Sequence, residues 1–167
     1  LVEGEPEELR GCVVTGDLFA TLGAKPLLGR VFGREHEVKG NHLVAVIGYG
    51  FWQRKFAGDS GVIGRHFLLN GHDFTIVGVA PLKFGGAIVG LSFDVWVPIT
   101  MQPVLAASGG FLEARGIRWL TALGRLRPGV GVAEARADIG LVQQRLAAIY
   151  ADDRSPTAVA ARFSSFA

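Results

Sequence analysis

The chain has 167 residues, 49% of them hydrophobic and 19% charged, with 24 Gly, 7 Pro, one Cys and one Met, and a mean hydropathy of +0.33. That balance excludes a disordered tail, a collagen-like repeat and a disulfide scaffold, and a chain of this length buries about 70% of the surface it exposes when unfolded. Seventeen bases against fifteen acids leave a net charge of +2, which is not the footprint of an obligate nucleic-acid binder.

In chain order, Glu3, Glu5, Glu7 and Glu8 form an acidic lead-in, and residues 9–167 then carry seventeen bases against eleven acids. The bases are scattered, with Arg54-Lys55 the one adjacent pair, as on an ordinary solvated surface. The chain starts at Leu1 with neither a basic start nor an apolar signal core, which reads as a segment of something longer. Cys12, in the apolar stretch CVV, reads as a buried inert thiol. Asp17 and Gly23 bracket LFATL, so a short helix over 17–22 is expected, capped by Asp17, closed by Gly23 and stopped by Pro26. NHLVAVI (41–47) is a β-branched run of strand length, and YGFWQRKFAG after it brings Phe51, Trp52, Lys55 and Phe56 to helical spacing.

Asn70-Gly71 lies between two alternating runs and is the dipeptide suited to a type I′ turn, so 65–79 reads as a hairpin. Its register puts Phe67, Leu69, His72, Phe74 and Ile76 on one face, with Asp73 and Thr75 on the other. A Gly-rich loop follows, then the strand FDVWVPI, opened by Asp94 and ended by Pro98. RWLTALGRLRPG (118–129) reads as a strand running into a Pro-Gly turn. Val132, Ala135, Ile139, Val142, Leu146 and Ile149 then mark a helix over 132–150 with one apolar stripe. The SGGFLEARG segment (108–116) between these textures reads as a connection between lobes. No apolar run approaches the ~20 residues that cross a bilayer.

Signatures of catalysis are missing from the sequence. GGAIVGLS (85–92) has the spacing of a phosphate loop, but Leu91 stands where its lysine belongs, and neither GxGxxG nor GxSxG occurs. Glu35, His36, Glu37 and His42 form the densest set of metal-ligand types, without HExxH or paired CxxC spacing, while the hairpin register points His66 and His72 to opposite faces. Asp17, Asp59, Asp73 and Asp94 each have a cap, turn, hairpin or strand-opening role. The three Trp and eleven Phe read most simply as core and lobe interface. No cofactor, metal or catalytic residue is expected.

Read together, TGDLFATLGAKPLLGRVF (15–32), LVAVIGYGFWQRKFAGDSGVIGRHFLLNGHDFTIVGVAP (43–81), DVWVPI (94–99) and RWLTALGRLRPGVGVAEARADI (118–139) resemble the periplasmic core domain of MacB-like ABC transporter permeases, in particular the acidobacterial-type group. The blocks that carry the resemblance are Gly29-Arg30, Tyr49-Gly50-Phe51-Trp52-Gln53, Ile63-Gly64, Leu69-Asn70-Gly71 and Asp94-x-Trp96-x-Pro98. Gly48 stands where a serine is common in the family, and Leu82-Lys83 replaces the usual Pro-Gly. The resemblance implies an α+β fold in which a small inserted mixed α/β lobe with antiparallel hairpins spans 12–110. Residues 1–11 would be a lead-in from a truncated first lobe, and 111–167 the returning strand-helix part of that other lobe.

It further implies a non-catalytic extracytoplasmic domain of a permease embedded in a bacterial inner membrane. Such a domain couples ATP hydrolysis in a cytoplasmic domain or subunit to export or mechanical work. Its partners would be a second permease copy, that ATPase and a periplasmic adaptor. On this reading Gly29, Arg30, Tyr49, Gly50, Phe51, Trp52, Asn70, Gly71, Asp94, Trp96 and Pro98 preserve architecture. Two other readings remain. One is an extracytoplasmic ligand- or peptide-binding module using the aromatics and the Gly-rich loop. The other is a hydrolase using His36 or His72.

Overall fold

The apolar β-branched runs become the middle of a sheet, and the turn residues between them decide how the strands return. In the computed structural model, residues 7–38, 43–88, 90–106, 109–114, 117 and 119–150 are described. The chain divides into two units, Leu1–Glu113 and Ala114–Ala167.

The first unit is built on a six-stranded sheet. Its strands are β1 (Gly11–Val14), β2 (Leu28–Gly29), β3 (Val44–Ile47), β4 (His66–Leu69), β5 (His72–Val79) and β6 (Val95–Pro98). The order across the sheet is β1-β6-β3-β5, and β5 shares its far edge between β2 and β4. Helices α1 (Leu18–Leu22), α2 (Tyr49–Phe56) and α3 (Gln102–Leu105) lie in the connections. The expectation of antiparallel strands holds for β3/β6, β4/β5 and β2/β5, but β1/β6 and β3/β5 are parallel. Parallel pairing needs a long crossover, and α2 with the turns after it supplies one between β3 and β5.

Both faces of this sheet are buried, against different layers. On one, Ala45, Ile47, Phe74, Ile76, Val79, Val95 and Val97 pack with Phe51, Trp52 and Phe56 of α2, and with Val62 and Met101. On the other, Val46, Val77, Ala80 and Trp96 pack with Phe19 of α1 and with Phe32. Two-sided burial is why β3 and β6 read as near-continuous apolar runs.

Strict alternation would send Val79 to the second face. The β3/β5 register instead skips a residue, pairing Ala45 with Ile76 and Val46 with Gly78. Val77 keeps its place in the second layer, and the bulge returns Val79 to the first and sends Ala80 to the second. Gly78 faces Gly29 of β2 across the ladder. A Cβ on Gly78 would lie 2.0 Å from the Arg30 carbonyl oxygen, and one on Gly29, at φ +65°, would lie 2.3 Å from that of Val77. Two side-chain-free positions therefore let β2 close on the bulge.

The hairpin forms as expected: Leu69 pairs with His72, and Asn70 (φ 49°) and Gly71 (φ 79°) make the turn. Helix α1 ends at Gly23, which is left-handed at φ 70°. The Asp17 side chain does not cap it, because its carboxylate is held by Arg34. The expected strand over 118–129 is absent from described residues 119–127, which join no ladder. A strand persists only where a neighbour takes up its backbone groups. In the second unit, helix α4 (Val132–Ile149) spans the expected segment and has no buried residue. No described helix is long and apolar enough to cross a membrane.

Gly78→Ala is expected to destabilise the chain by about 3 kcal/mol or more, or to abolish folding, because the added methyl meets the backbone of Arg30 and Leu28. Gly50→Ala, in α2 where a Cβ meets no atom nearer than Arg54 Nη1 at 3.5 Å, is expected to stabilise by about 0.5–1 kcal/mol. Urea unfolding followed by circular dichroism measures both.

Candidate functional site

The residues that carry the family resemblance do not gather in one cleft. Gly29 and Arg30 lie at the β2–β5 crossing, Tyr49 to Trp52 open α2, Asn70 and Gly71 form the hairpin tip, and Asp94, Trp96 and Pro98 lie on or beside β6. Each is engaged by structure around it. Phe51 is buried in the first layer with its ring edge-on to Phe56 at 5.8 Å. Tyr49 stands edge-on to Trp52 at 5.6 Å, and the Trp52 indole Nε1–H donates to the Asp59 carbonyl at 2.9 Å. Asp59 in turn caps the following turn through Gly61 N–H and pairs with Arg65. The Asn70 amide donates to the Leu105 carbonyl at 3.1 Å, tying the hairpin tip to α3. Pro98 pairs with Val14 at the end of the β1/β6 ladder and precedes the turn that leads into α3.

Asp94 is a junction. Its carboxylate accepts from the Arg10 backbone N–H at 3.1 Å and from Arg54 Nη2 at 3.0 Å, while its carbonyl accepts from Gly48 N–H at 2.7 Å. One side chain thus fixes the approach to β1, the start of β6 and helix α2, with its carbonyl holding the exit of β3. Glu7 adds ion pairs to Arg54 and Lys55. Sequence reading identified Asp94 as a strand-opening residue and had no signal for its reach to residue 10.

Arg30 leads to a polar cluster that the spacing did not reveal. Its Nη1 lies 3.1 Å from Nε2 of His36, whose side chain is 4% exposed and packs beside Phe32. Arginine can only donate, so Nε2 accepts, while Nδ1 lies 2.9 Å from Glu35 Oε1 and 3.4 Å from the Gly33 backbone nitrogen. Glu35 is held below the usual carboxylate range, chiefly by a hydrogen bond from its own backbone amide. Glu37 is turned away from this cluster and accepts from Gly16 N–H at 2.6 Å. The Glu35-His36-Glu37 set is thus consumed by internal bonds, and His42 lies outside the described residues. Among the described residues no group of three or more His, Cys, Asp or Glu could hold a metal ion. His66 pairs with Asp73 at 3.1 Å across the hairpin. Burial pushes the Cys12 thiol up, away from a reactive thiolate.

Gln102 is a further residue missed in the sequence. It is buried, accepts from Phe111 N–H at 2.6 Å and donates to the Gly109 carbonyl, so it anchors residues 109–111 against α3. The signal available was weak, a single amide after a Pro-bounded strand.

The exposed Asp17–Arg34 pair titrates in a definite direction. The hydrogen bond from Arg34, foremost, holds the Asp17 carboxyl below the usual carboxylate range. A carboxyl lowered in the folded state favours folding above its unfolded pKa, and that contribution disappears as the pH falls through the folded pKa. Arg34→Ala is expected to move the Asp17 midpoint up toward the ordinary value, as read by NMR titration of its side-chain carbonyl carbon. An unchanged midpoint would show that another group sets it.

Comparison with known proteins agrees with this arrangement. The periplasmic region of MacB from Actinobacillus actinomycetemcomitans superposes with a TM-score of 0.57 at 16% identity, covering 86% of this chain and 57% of that one. A domain described as that of a permease protein from Porphyromonas gingivalis superposes with a TM-score of 0.53 at 21% identity, covering 86% of this chain and 62% of that one. The chain therefore spans about three-fifths of these structures, and the likeness is one of fold. No curated protein matches the chain. The sequence profile described as MacB-like periplasmic core domain matches residues 2–141, and with motifs, sheet and neighbours in accord, the chain belongs to the MacB-like periplasmic core domain family.

Proposed function

We propose that this chain is a non-catalytic part of an ABC-type permease on the extracytoplasmic side of a bacterial inner membrane. It would transmit the ATP cycle of a cytoplasmic domain or subunit to export or mechanical work. The observation that carries the reading is how the family-motif residues are used. They lie on both faces and at separate ends of one sheet, and Arg30, Phe51, Trp52, Asn70, Asp94 and Trp96 are each engaged by a side chain, a backbone group or the core. Motifs placed in this way keep a lobe stiff, as rigid-body coupling requires. On the same reading residues 12–110 form the inserted lobe, with 1–11 and 111–167 belonging to the other lobe. The partners are a second permease copy, the ATPase and a periplasmic adaptor.

The test uses the full-length parent protein with its other cysteines replaced and Leu68→Cys introduced on the exposed face of β4. A membrane-impermeant maleimide is expected to label it in intact spheroplasts without permeabilisation. In nanodiscs containing the ATPase, the distance between spin labels at this position on two copies is expected to change when ATP and vanadate are added. Labelling that requires permeabilisation would contradict the location. A distance indifferent to nucleotide would contradict the coupling.

A further inference from the structure

The two buried tryptophans of the first unit provide an internal comparison. Trp52 donates its indole N–H to a carbonyl, the normal outcome for a buried Trp. Trp96 is fully buried, with 0% exposure, and its Nε1 has no acceptor among the described residues. An indole N–H removed from water without a partner forfeits its hydration with nothing in return. The surroundings of Trp96 are aromatic, with ring centroids of Phe84 at 5.2 Å, Phe19 at 6.1 Å and Phe93 at 6.3 Å. What approaches Nε1 is the bare backbone of Gly86, left-handed at φ +101°. A Cβ there would lie 3.5 Å from Nε1 and 3.0 Å from the Phe93 ring. Gly85 beside it is equally closely packed, since its Cβ would lie 2.8 Å from the Leu91 carbonyl oxygen.

From these features we infer that the Phe84–Gly86 strap covers a ligand site whose floor is the Trp96 indole. The ligand has a compact apolar or aromatic body and one neutral hydrogen-bond acceptor, such as a ketone or amide carbonyl. The aromatic rings take the body, and Nε1–H takes the acceptor. A carboxylate is excluded, because four aromatic rings and one donor do not replace the water it would lose. Rotation about the side-chain-free Gly85–Gly86 pair moves the strap aside, and bound ligand satisfies the donor that the closed state leaves unmade. This inference goes beyond the permease reading and does not depend on it, because it concerns binding by this chain alone.

The test is titration of the 167-residue chain with acetophenone, observed at the three tryptophan indole N–H resonances, with Trp96→Phe identifying the Trp96 signal. The expected result is a saturable downfield shift of the Trp96 resonance with that of Trp52 unmoved. α-Methylstyrene, alike in shape but without the acceptor, should bind about fivefold more weakly. Gly86→Ala, which fills the position beside Nε1, should weaken acetophenone binding about tenfold while the Trp52 resonance reports an intact fold. Should that variant fail to fold, Trp96→Phe serves instead. By ligand-observed saturation transfer it should bind acetophenone and α-methylstyrene equally. No saturable shift up to the solubility limit, equal affinity of the wild type for the two compounds, or parallel shifts of Trp52 and Trp96 would each overturn the inference.

Discussion

The close crossing of β2 over the bulge in β5 is the constraint on which the first unit depends. β5 pairs on one side with β3 and on the other with both β2 and β4, so any change in its phase is felt by three strands. The bulge at Val77 moves that phase by one residue, which puts Val79 in the α2 layer and Ala80 with Val77 in the layer of α1. β2 is only two residues long and contributes little pairing of its own. It closes the edge because Gly29 and Gly78 meet with no side chain between them, and it then delivers Arg30 to the buried His36. The Gly29-Arg30 motif thus combines a backbone condition with a polar anchor.

Where local chemistry decided the outcome, the sequence was readable. The Asn70-Gly71 turn, the left-handed Gly23, the helix after Val44–Ile47 and the strand between Asp94 and Pro98 each follow from turn chemistry or periodicity within a few residues. What was not readable depended on partners far along the chain. Asp17 has every property of an N-cap, yet Arg34 offers its carboxylate a charged donor instead. Residues 119–127 have the composition of a strand but no described strand beside them. The parallel pairing of β1 with β6 joins positions more than eighty residues apart. One local signal was passed over. A glycine inside the β-branched run TIVGV marks a bulge or a close backbone approach, and Gly78 provides both.

The candidate site shows the same division. The motif residues could be named from the resemblance, whereas their partners appeared only in three dimensions: Arg10 and Arg54 around Asp94, Leu105 at Asn70, His36 at Arg30. Glu35, His36, Glu37 and His42 are the densest set of metal-ligand types in the sequence, without the spacing of a metal site. Folding turns Glu37 away to the Gly16 amide and keeps His36 between Arg30 and Glu35. These polar groups hold segments of the chain to one another. The one buried side-chain donor of β6 left without a partner is the indole of Trp96, which is why a binding role is assigned there.

Native-state hydrogen exchange tests most directly whether the β2–β5 crossing belongs to the cooperative core. The Leu27 and Arg30 amides bond to the Val79 and Val77 carbonyls, while those of Gly48 and Ala80 bond to Asp94 and Ile47 deep in the sheet. If the crossing is integral, all four amides exchange through one common opening and respond together to added denaturant. Rapid exchange of Leu27 and Arg30 alongside full protection of Gly48 and Ala80 would contradict the account, leaving the motif at residues 29–30 as a surface strap over a sheet that stands without it.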